Sequence, residues 1–235
     1  MNEGIDIGDR IIVAQLIRCA QGGMKEHYIS LIKGLLDAGI EIVALCSLSS
    51  KDRNTLKGLG ARVIPFTIKG RFRFLKDAIA ILRLVRILSR NKVHILHCHG
   101  FRAGFIGRIA AVFVRCPCIY TMHNFLPIRL GRTGRLLSRW GERLLSKIPG
   151  LIITVSKPLK SQAVNALGIK GNKIKVIYNG IHIPKTMDKD RHKELNDLKN
   201  LWGIEKGEKV IGTVARLIPS KGIDTLIDAI PKVIE

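Results

Sequence analysis

Seven short apolar runs, separated by segments of helical periodicity, constrain what this chain can fold into more than any other feature. They read RIIVAQL (10–16), EIVALCS (41–47), ARVIPF (61–66), KVHILHCH (92–99), PCIYTMH (117–123), GLIITVS (150–156) and KIKVIYN (173–179). Most are near-continuous Val/Ile/Leu stretches, the pattern of strands buried on both faces. Helical spacing covers 24–38, 72–91, 102–114, 132–147 and 157–167 between them. Regular alternation of buried strand and helix predicts an α/β fold with a doubly wound parallel sheet. After Pro184 a charged helix is expected over 188–202, and EKVIGTVARL (208–217) reads as the first strand of a second β-α series. The expected organisation is therefore a domain over 1–183 and the start of another over 184–235. That second stretch is short beside the ~100–150 residues typical of a domain.

Composition narrows the partners. Of 235 residues, 40 are Lys or Arg and 18 are Asp or Glu, a formal charge of +22. Between Arg71 and Lys147 sixteen cations face only Asp77 and Glu142, so +14 of the excess lies in this stretch. Such a balance calls for an anionic partner: nucleic acid, acidic lipid or a phosphorylated small molecule. Aromatic residues are 5% and no nucleic-acid reading motif is present, so a nucleic-acid-binding module is the weaker reading and no nucleic acid is expected. The cysteines Cys19, Cys46, Cys98, Cys116 and Cys118 lie in or beside apolar runs, as buried free thiols do. Cys116-Pro-Cys118 is not a CxxC, and no Cys/His cluster has zinc spacing, so no metal site is expected. The polar, acidic N-terminus does not read as a signal peptide, and no apolar run approaches the ~20 residues of a membrane span. A reduced, cytoplasmic protein is expected, with any membrane contact peripheral, on the inner face.

In open α/β sheets ligands bind beyond the carboxyl ends of the strands, so the residues after each run matter most. Gln21-Gly22-Gly23-Met24 follows the first run and opens a helix, where glycine lets backbone approach a ligand and the helix N-terminus favours an anion. The spacing is neither GxGxxG nor a P-loop, and a tight structural turn would look the same. His27, one turn later, faces either that loop or solvent. His97-Cys98-His99-Gly100-Phe101-Arg102 follows the fourth run and Thr121-Met122-His123-Asn124 the fifth. Strand alternation puts His97 and His99 on one face and the Cys98 thiol on the other. Three imidazoles at neighbouring strand ends point to a cleft as readily as to core packing. Ser156 is placed to cap the next helix. Near the end, Arg216 closes an apolar run and Lys221-Gly222 opens a helix. Two cations at a helix N-terminus can grip a diphosphate, although a solvated loop has the same composition.

The order of these pieces resembles the GT-B glycosyltransferases, specifically family 4, the retaining nucleotide-sugar-dependent enzymes. The residues that carry the resemblance are GGMKEHYISLIKGLLDAGIEIVALC, VHILHCHGFRAGFIGRIAA, IYTMHN, GLIITVSKPLKSQAVNALGI, KIKVIYNGI and IGTVARLIPSKGIDTLIDAI, in that order over residues 10–235. The resemblance implies two Rossmann-like domains across a cleft, the first taking the acceptor and the second most of the donor. It implies that Gly23 lies beside the donor phosphates, that His123 contacts the donor sugar as the catalytic residue, and that Arg216 and Lys221 hold the diphosphate leaving group. Gly22, His27, His99, Arg102 and Asn124 are the neighbouring candidates for acceptor or cleft contacts. It implies no cofactor and no essential metal, the nucleotide-diphosphate sugar being a co-substrate. The family also carries a Glu-x7-Glu element downstream of the Arg/Lys-Gly motif, and this sequence ends before it. A truncated second domain is the expectation, which leaves a non-catalytic half that binds acceptor, anionic lipid or a partner subunit as the alternative reading.

The basic centre suggests where the acceptor comes from. In GRTGRLLSRWGERLLSK (131–147), Leu136, Leu137, Trp140, Leu144 and Leu145 share a broad face beside a stripe of Arg132, Arg135, Arg139 and Arg143. That arrangement suits a helix lying on anionic lipid, and equally a packed helix whose Arg stems snorkel over the surface. Residues 72–91 add further cations, with apolar residues numerous enough to be mostly core. A glycan or lipid-linked acceptor at a membrane surface is the expectation.

Overall fold

The computed structural model describes residues 11–70, 72–124, 132–148, 150–181, 189–205 and 207–234. The chain divides into two compact units, Met1–Ile181 and His182–Glu235. In the first, all seven apolar runs form strands: β1 (Ile12–Ile17), β2 (Glu41–Cys46), β3 (Arg62–Pro65), β4 (Ile95–His99), β5 (Cys118–Met122), β6 (Gly150–Thr154) and β7 (Ile174–Val176). They alternate with α1 (Gly23–Asp37), α2 (Ser50–Gly58), α3 (Phe74–Arg90), α4 (Phe101–Val114), α5 (Arg132–Leu145) and α6 (Lys157–Asn165). Every described pairing is parallel, in the order β3-β2-β1-β4-β5-β6-β7. The fold is thus α/β and Rossmann-like.

Strand alternation builds a core on each face of the sheet. Ala14, Leu16, Val43, Leu45, Leu96 and Cys98 pack with Leu84 and Leu88 of α3 and Ala103, Ile106 and Ala110 of α4. Val13, Ile17, Ile42, Ala44 and Cys46 pack with Tyr28 and Ile32 of α1 and Leu56 of α2. Right-handed crossovers require this division: leaving β1 for β2 puts α1 on one face, and stepping the other way from β4 to β5 puts α4 on the opposite one. Helix α4 approaches the sheet closely because position 107 has no side chain. A Cβ there would clash with the Cys98 Sγ and press on Leu96 and Leu16. Ser156 caps α6 as expected, accepting from the Leu159 amide at 3.3 Å.

The two acids of the basic centre both point inward. Asp77 on α3 binds the Arg102 guanidinium at 2.6 Å, and Glu142 on α5 binds Arg108 at 2.7 Å. Both partners lie on α4, so these ion pairs clamp α3 and α5 to it. The surplus positive charge of this stretch is therefore carried by its other cations.

One expectation holds in part and one needs correction. Helix α3 buries Leu84 and Leu88 and packs Ala80, Ile81, Val85 and Ile87 against the core, whereas Leu75, Ile79 and Leu82 are 74%, 65% and 69% exposed. Its apolar residues exceed what one buried stripe can absorb. The second unit holds α7 (Lys189–Leu201), a 3₁₀ turn over Pro219–Lys221 and α8 (Ile223–Ile234), but 208–217 is not a strand. A strand exists through its ladder, and no neighbour pairs with this stretch among the described residues. Val214 there is 106% exposed.

Candidate functional site

The strand order reverses direction between β1 and β4, which opens a crevice at their carboxyl ends. Three loops meet there. After β1, Gly22 adopts φ +60°, a left-handed value that favours glycine, and lets α1 start at Gly23. No side chain caps α1, and a Cβ on Gly22 or Gly23 would meet nothing within 4 Å, so this helix start faces open space. β4 ends on His99, and after β5 come His123 and the exposed Asn124.

His27, on the first turn of α1, faces the cleft and not bulk solvent. Its ring lies 5.0 Å from that of His123 and 5.8 Å from that of His99. The His99 and His123 rings stack at 5.5 Å, with His99 Nδ1 3.2 Å from His123 Nε2. On its other side His99 Nε2 is 2.7 Å from Gln15 Oε1. A carbonyl oxygen only accepts, so His99 donates from Nε2 and holds a lone pair at Nδ1. His123 then donates from Nε2, which leaves its own Nδ1 as an acceptor. Tyr28 supports this row, donating its hydroxyl to the Gln15 carbonyl at 2.9 Å and setting its ring edge-on to His99. His97, 4.2 Å from His99 on the same strand face, bonds Thr121 Oγ1 at 2.8 Å.

Burial sets the charge of the group. It pushes His97 down to about 3 and His123 to about 4, lowers His27, and holds His99 well below the ordinary range, with the neighbouring imidazoles adding to the effect for all but His27. At neutral pH these side chains are uncharged. They can orient a hydroxyl by donating or accepting a hydrogen bond, and they cannot act as imidazolium acids. His27, His99 and His123 also bring three ring nitrogens within 4.8 Å of one another, close enough to share a cation.

The structure treats the other candidates unequally. Arg102 is turned away from the histidines: it binds Asp77, donates from Nε to the Lys69 carbonyl at 3.1 Å and stacks 4.1 Å from the Phe72 ring centre. The physical reason is Asp77, a buried carboxylate that needs a cation. On α5, Trp140 is 64% exposed, with Leu136, Leu144, Arg139 and Arg143 also exposed, while Leu145 packs inward. The side chains of Arg132, Arg135 and Leu137 lie outside the described residues. Arg216 and Lys221 belong to the second unit, both exposed, Lys221 closing the 3₁₀ turn that leads into α8. Gln15 and Tyr28 were not expected from sequence. Gln15 carries a signal all the same, as the one polar side chain inside β1 and on the same alternate face as the histidines. A cavity of about 550 Å³, bordered by Ile12, Glu41 and Arg62, opens at the opposite strand ends and is not part of this site.

Known proteins resemble this chain in sequence and in fold. The profile of Glycosyltransferase Family 4 matches residues 21–184. An uncharacterized glycosyltransferase of Methanocaldococcus jannaschii is 30% identical over 227 residues, covering 91% of this chain and 56% of the relative. A UDP-Gal:alpha-D-GlcNAc-diphosphoundecaprenol alpha-1,3-galactosyltransferase of Escherichia coli is 28% identical over 163 residues, 68% of this chain and 42% of the relative. The crystal structure of a glycosyltransferase from Rickettsia africae superposes with TM-score 0.77 at 17% identity, over 96% of this chain and 58% of that one. The chain spans about half the length of the curated relatives it matches. With the family profile covering more than half of its residues, including the crevice, the chain belongs to Glycosyltransferase Family 4.

Proposed function

We infer that this chain is the acceptor-side part of an enzyme that moves a sugar from a nucleotide-diphosphate sugar to a glycan or lipid-linked acceptor held at a membrane surface, with retention of configuration. The Escherichia coli relative carries both a UDP-sugar and a diphosphoundecaprenol acceptor in its name. In this reading the uncharged His123 hydrogen-bonds a hydroxyl of the donor sugar and steadies the anomeric carbon. Gly23 lets the backbone at the α1 N-terminus approach the donor phosphates. Negative charge builds on the diphosphate as the sugar leaves, and Arg216 and Lys221 from the second unit stabilise it as fixed cations. No cofactor is called for in this scheme.

The observation that carries the membrane-held acceptor is the outer face of α3. Leu75, Ile79 and Leu82 form a stripe at helical spacing, prolonged by exposed Phe72 and Phe74 at one end and Arg86 at the other. Lys76 and Arg90 run along its flank. Phe72 packs edge-on against Phe101 and Phe105 of α4, and Phe101 stands two residues after His99. The apolar stripe thus begins beside the cleft. A basic helix with an exposed apolar face binds anionic bilayers by burying that face among the headgroups. Nucleic acid would use the cations and leave the leucines in water. The exposed Leu136, Trp140 and Leu144 of α5, with Arg139 and Arg143, have the same character. The protein would then sit peripherally on the cytoplasmic face of the inner membrane. Flotation with vesicles tests this: the reading expects binding to anionic liposomes that is lost in Leu75→Asp/Ile79→Asp. Equal binding to neutral and anionic vesicles, or none to either, would sink it.

A further inference from the structure

We propose that His27, His99 and His123 form a binding site for a Zn²⁺-like transition-metal cation. The three come from α1, the end of β4 and the loop after β5, so no sequence spacing announces them. Tetrahedral zinc with Zn–N bonds of about 2.0–2.1 Å places its nitrogen ligands about 3.3 Å apart. His99 Nδ1 and His123 Nε2 already stand 3.2 Å apart. All three ligand atoms lie within 4.8 Å of one another, and His27, half-buried on a helix surface, is the side chain with room to rotate inward.

The surroundings of His99 are those of a ligand. Its Nε2–H is fixed on the Gln15 carbonyl oxygen at 2.7 Å, which leaves the Nδ1 lone pair aimed at the cluster. An outer oxygen acceptor of this kind orients metal-bound imidazoles generally. Tyr28 packs edge-on against the same ring, with centroids 5.4 Å apart. For His123 to join, its proton moves from Nε2 to Nδ1, a tautomer change that alters no charge. Three neutral nitrogens and no carboxylate among the described residues select zinc, cobalt, nickel or copper over magnesium or calcium. Three protein ligands leave a fourth position for water.

The cation need take no part in sugar transfer. Its consequence rests on the reading of His123 given above: a metal on Nε2 moves the proton to Nδ1 and turns the free acceptor that would face the donor sugar into a donor, so occupancy would inhibit. Binding and inhibition are therefore read separately. The chelator-stripped, tag-free protein is titrated with Co²⁺, whose d–d absorption intensifies in a tetrahedral site, and then with Zn²⁺ as competitor. One equivalent is expected to bind, and at least about 10-fold more weakly in His27→Ala and in His123→Ala. Cys19→Ala, which removes the exposed thiol, is expected to bind as wild type. Circular dichroism of each variant confirms that the fold persists. Unchanged affinity in both histidine variants, or no saturable Co²⁺ spectrum, overturns the site. In a transfer assay, Zn²⁺ is expected to abolish turnover and a chelator to restore it. A saturated enzyme with full turnover would instead overturn the role of His123 while leaving the metal site standing.

Discussion

His97 shows how burial, reinforced by the neighbouring His27 and His123, sets chemistry in this molecule. Buried and bonded to Thr121, it is pushed down to about 3, while in an unfolded chain it would titrate near 6.5. Below pH 6.5 the unfolded state therefore binds a proton that the folded state refuses, and stability must rise with pH between about 3 and 6.5. For the metal-free protein this predicts a loss of about 1.4 kcal/mol per pH unit for each such histidine as pH falls through that window. Denaturant titrations at several pH values measure it, and a flat profile from 6.5 to 4.5 would contradict the burial. Arg216 and Lys221 make a different prediction. If each contributes ~3 kcal/mol to the leaving diphosphate, replacing either by Ala in the active enzyme lowers turnover by roughly 10²-fold. Unchanged turnover in both would remove them from the site. His99 and His123 were legible in the sequence because they stand at the ends of runs that form β4 and β5. Arg102 has the same signature and does something else, since only the fold reveals the buried Asp77 that claims it.

Helices and strands were legible to different degrees, for a physical reason. A strand buried on both faces writes itself as a continuous apolar run, and the seven of the first unit all formed. EKVIGTVARL has the same composition and forms none, because the ladder partner is not written in the run itself. For α3 the count of apolar residues was visible, but not which of them the sheet and α4 would cover. Helix α4 sits close enough to β4 that Gly107→Ala should drive a methyl into the Cys98 sulfur. We expect a destabilisation of about 1–3 kcal/mol, the range for overpacked cores, measured by urea unfolding. An unaltered midpoint would mean that α4 can shift outward freely. The Gln15–His99–His123 row escaped sequence reading for a related reason. Its members come from the interior of β1, the end of β4 and the loop after β5, and become neighbours only through the parallel register.

Taken together, the folded protein separates its polar machinery from its charge. The two acids of the central stretch are spent inside on Arg102 and Arg108, which leaves an outer surface there that is basic and, on α3 and α5, apolar as well. The uncharged histidine cleft opens at the end of the sheet where α3 begins. An acceptor anchored in an anionic bilayer would meet the cleft there without leaving its membrane. Transfer of labelled sugar from a panel of nucleotide sugars to a polyprenyl-diphosphate-linked sugar in anionic vesicles, by the active enzyme that carries this chain, is the decisive measurement. Label should enter the lipid fraction with the donor's anomeric configuration, and should fall by at least about 10²-fold in His123→Ala, as loss of a contact of ~3 kcal/mol made in the transition state requires. An inverted product, or undiminished transfer by His123→Ala, would contradict it.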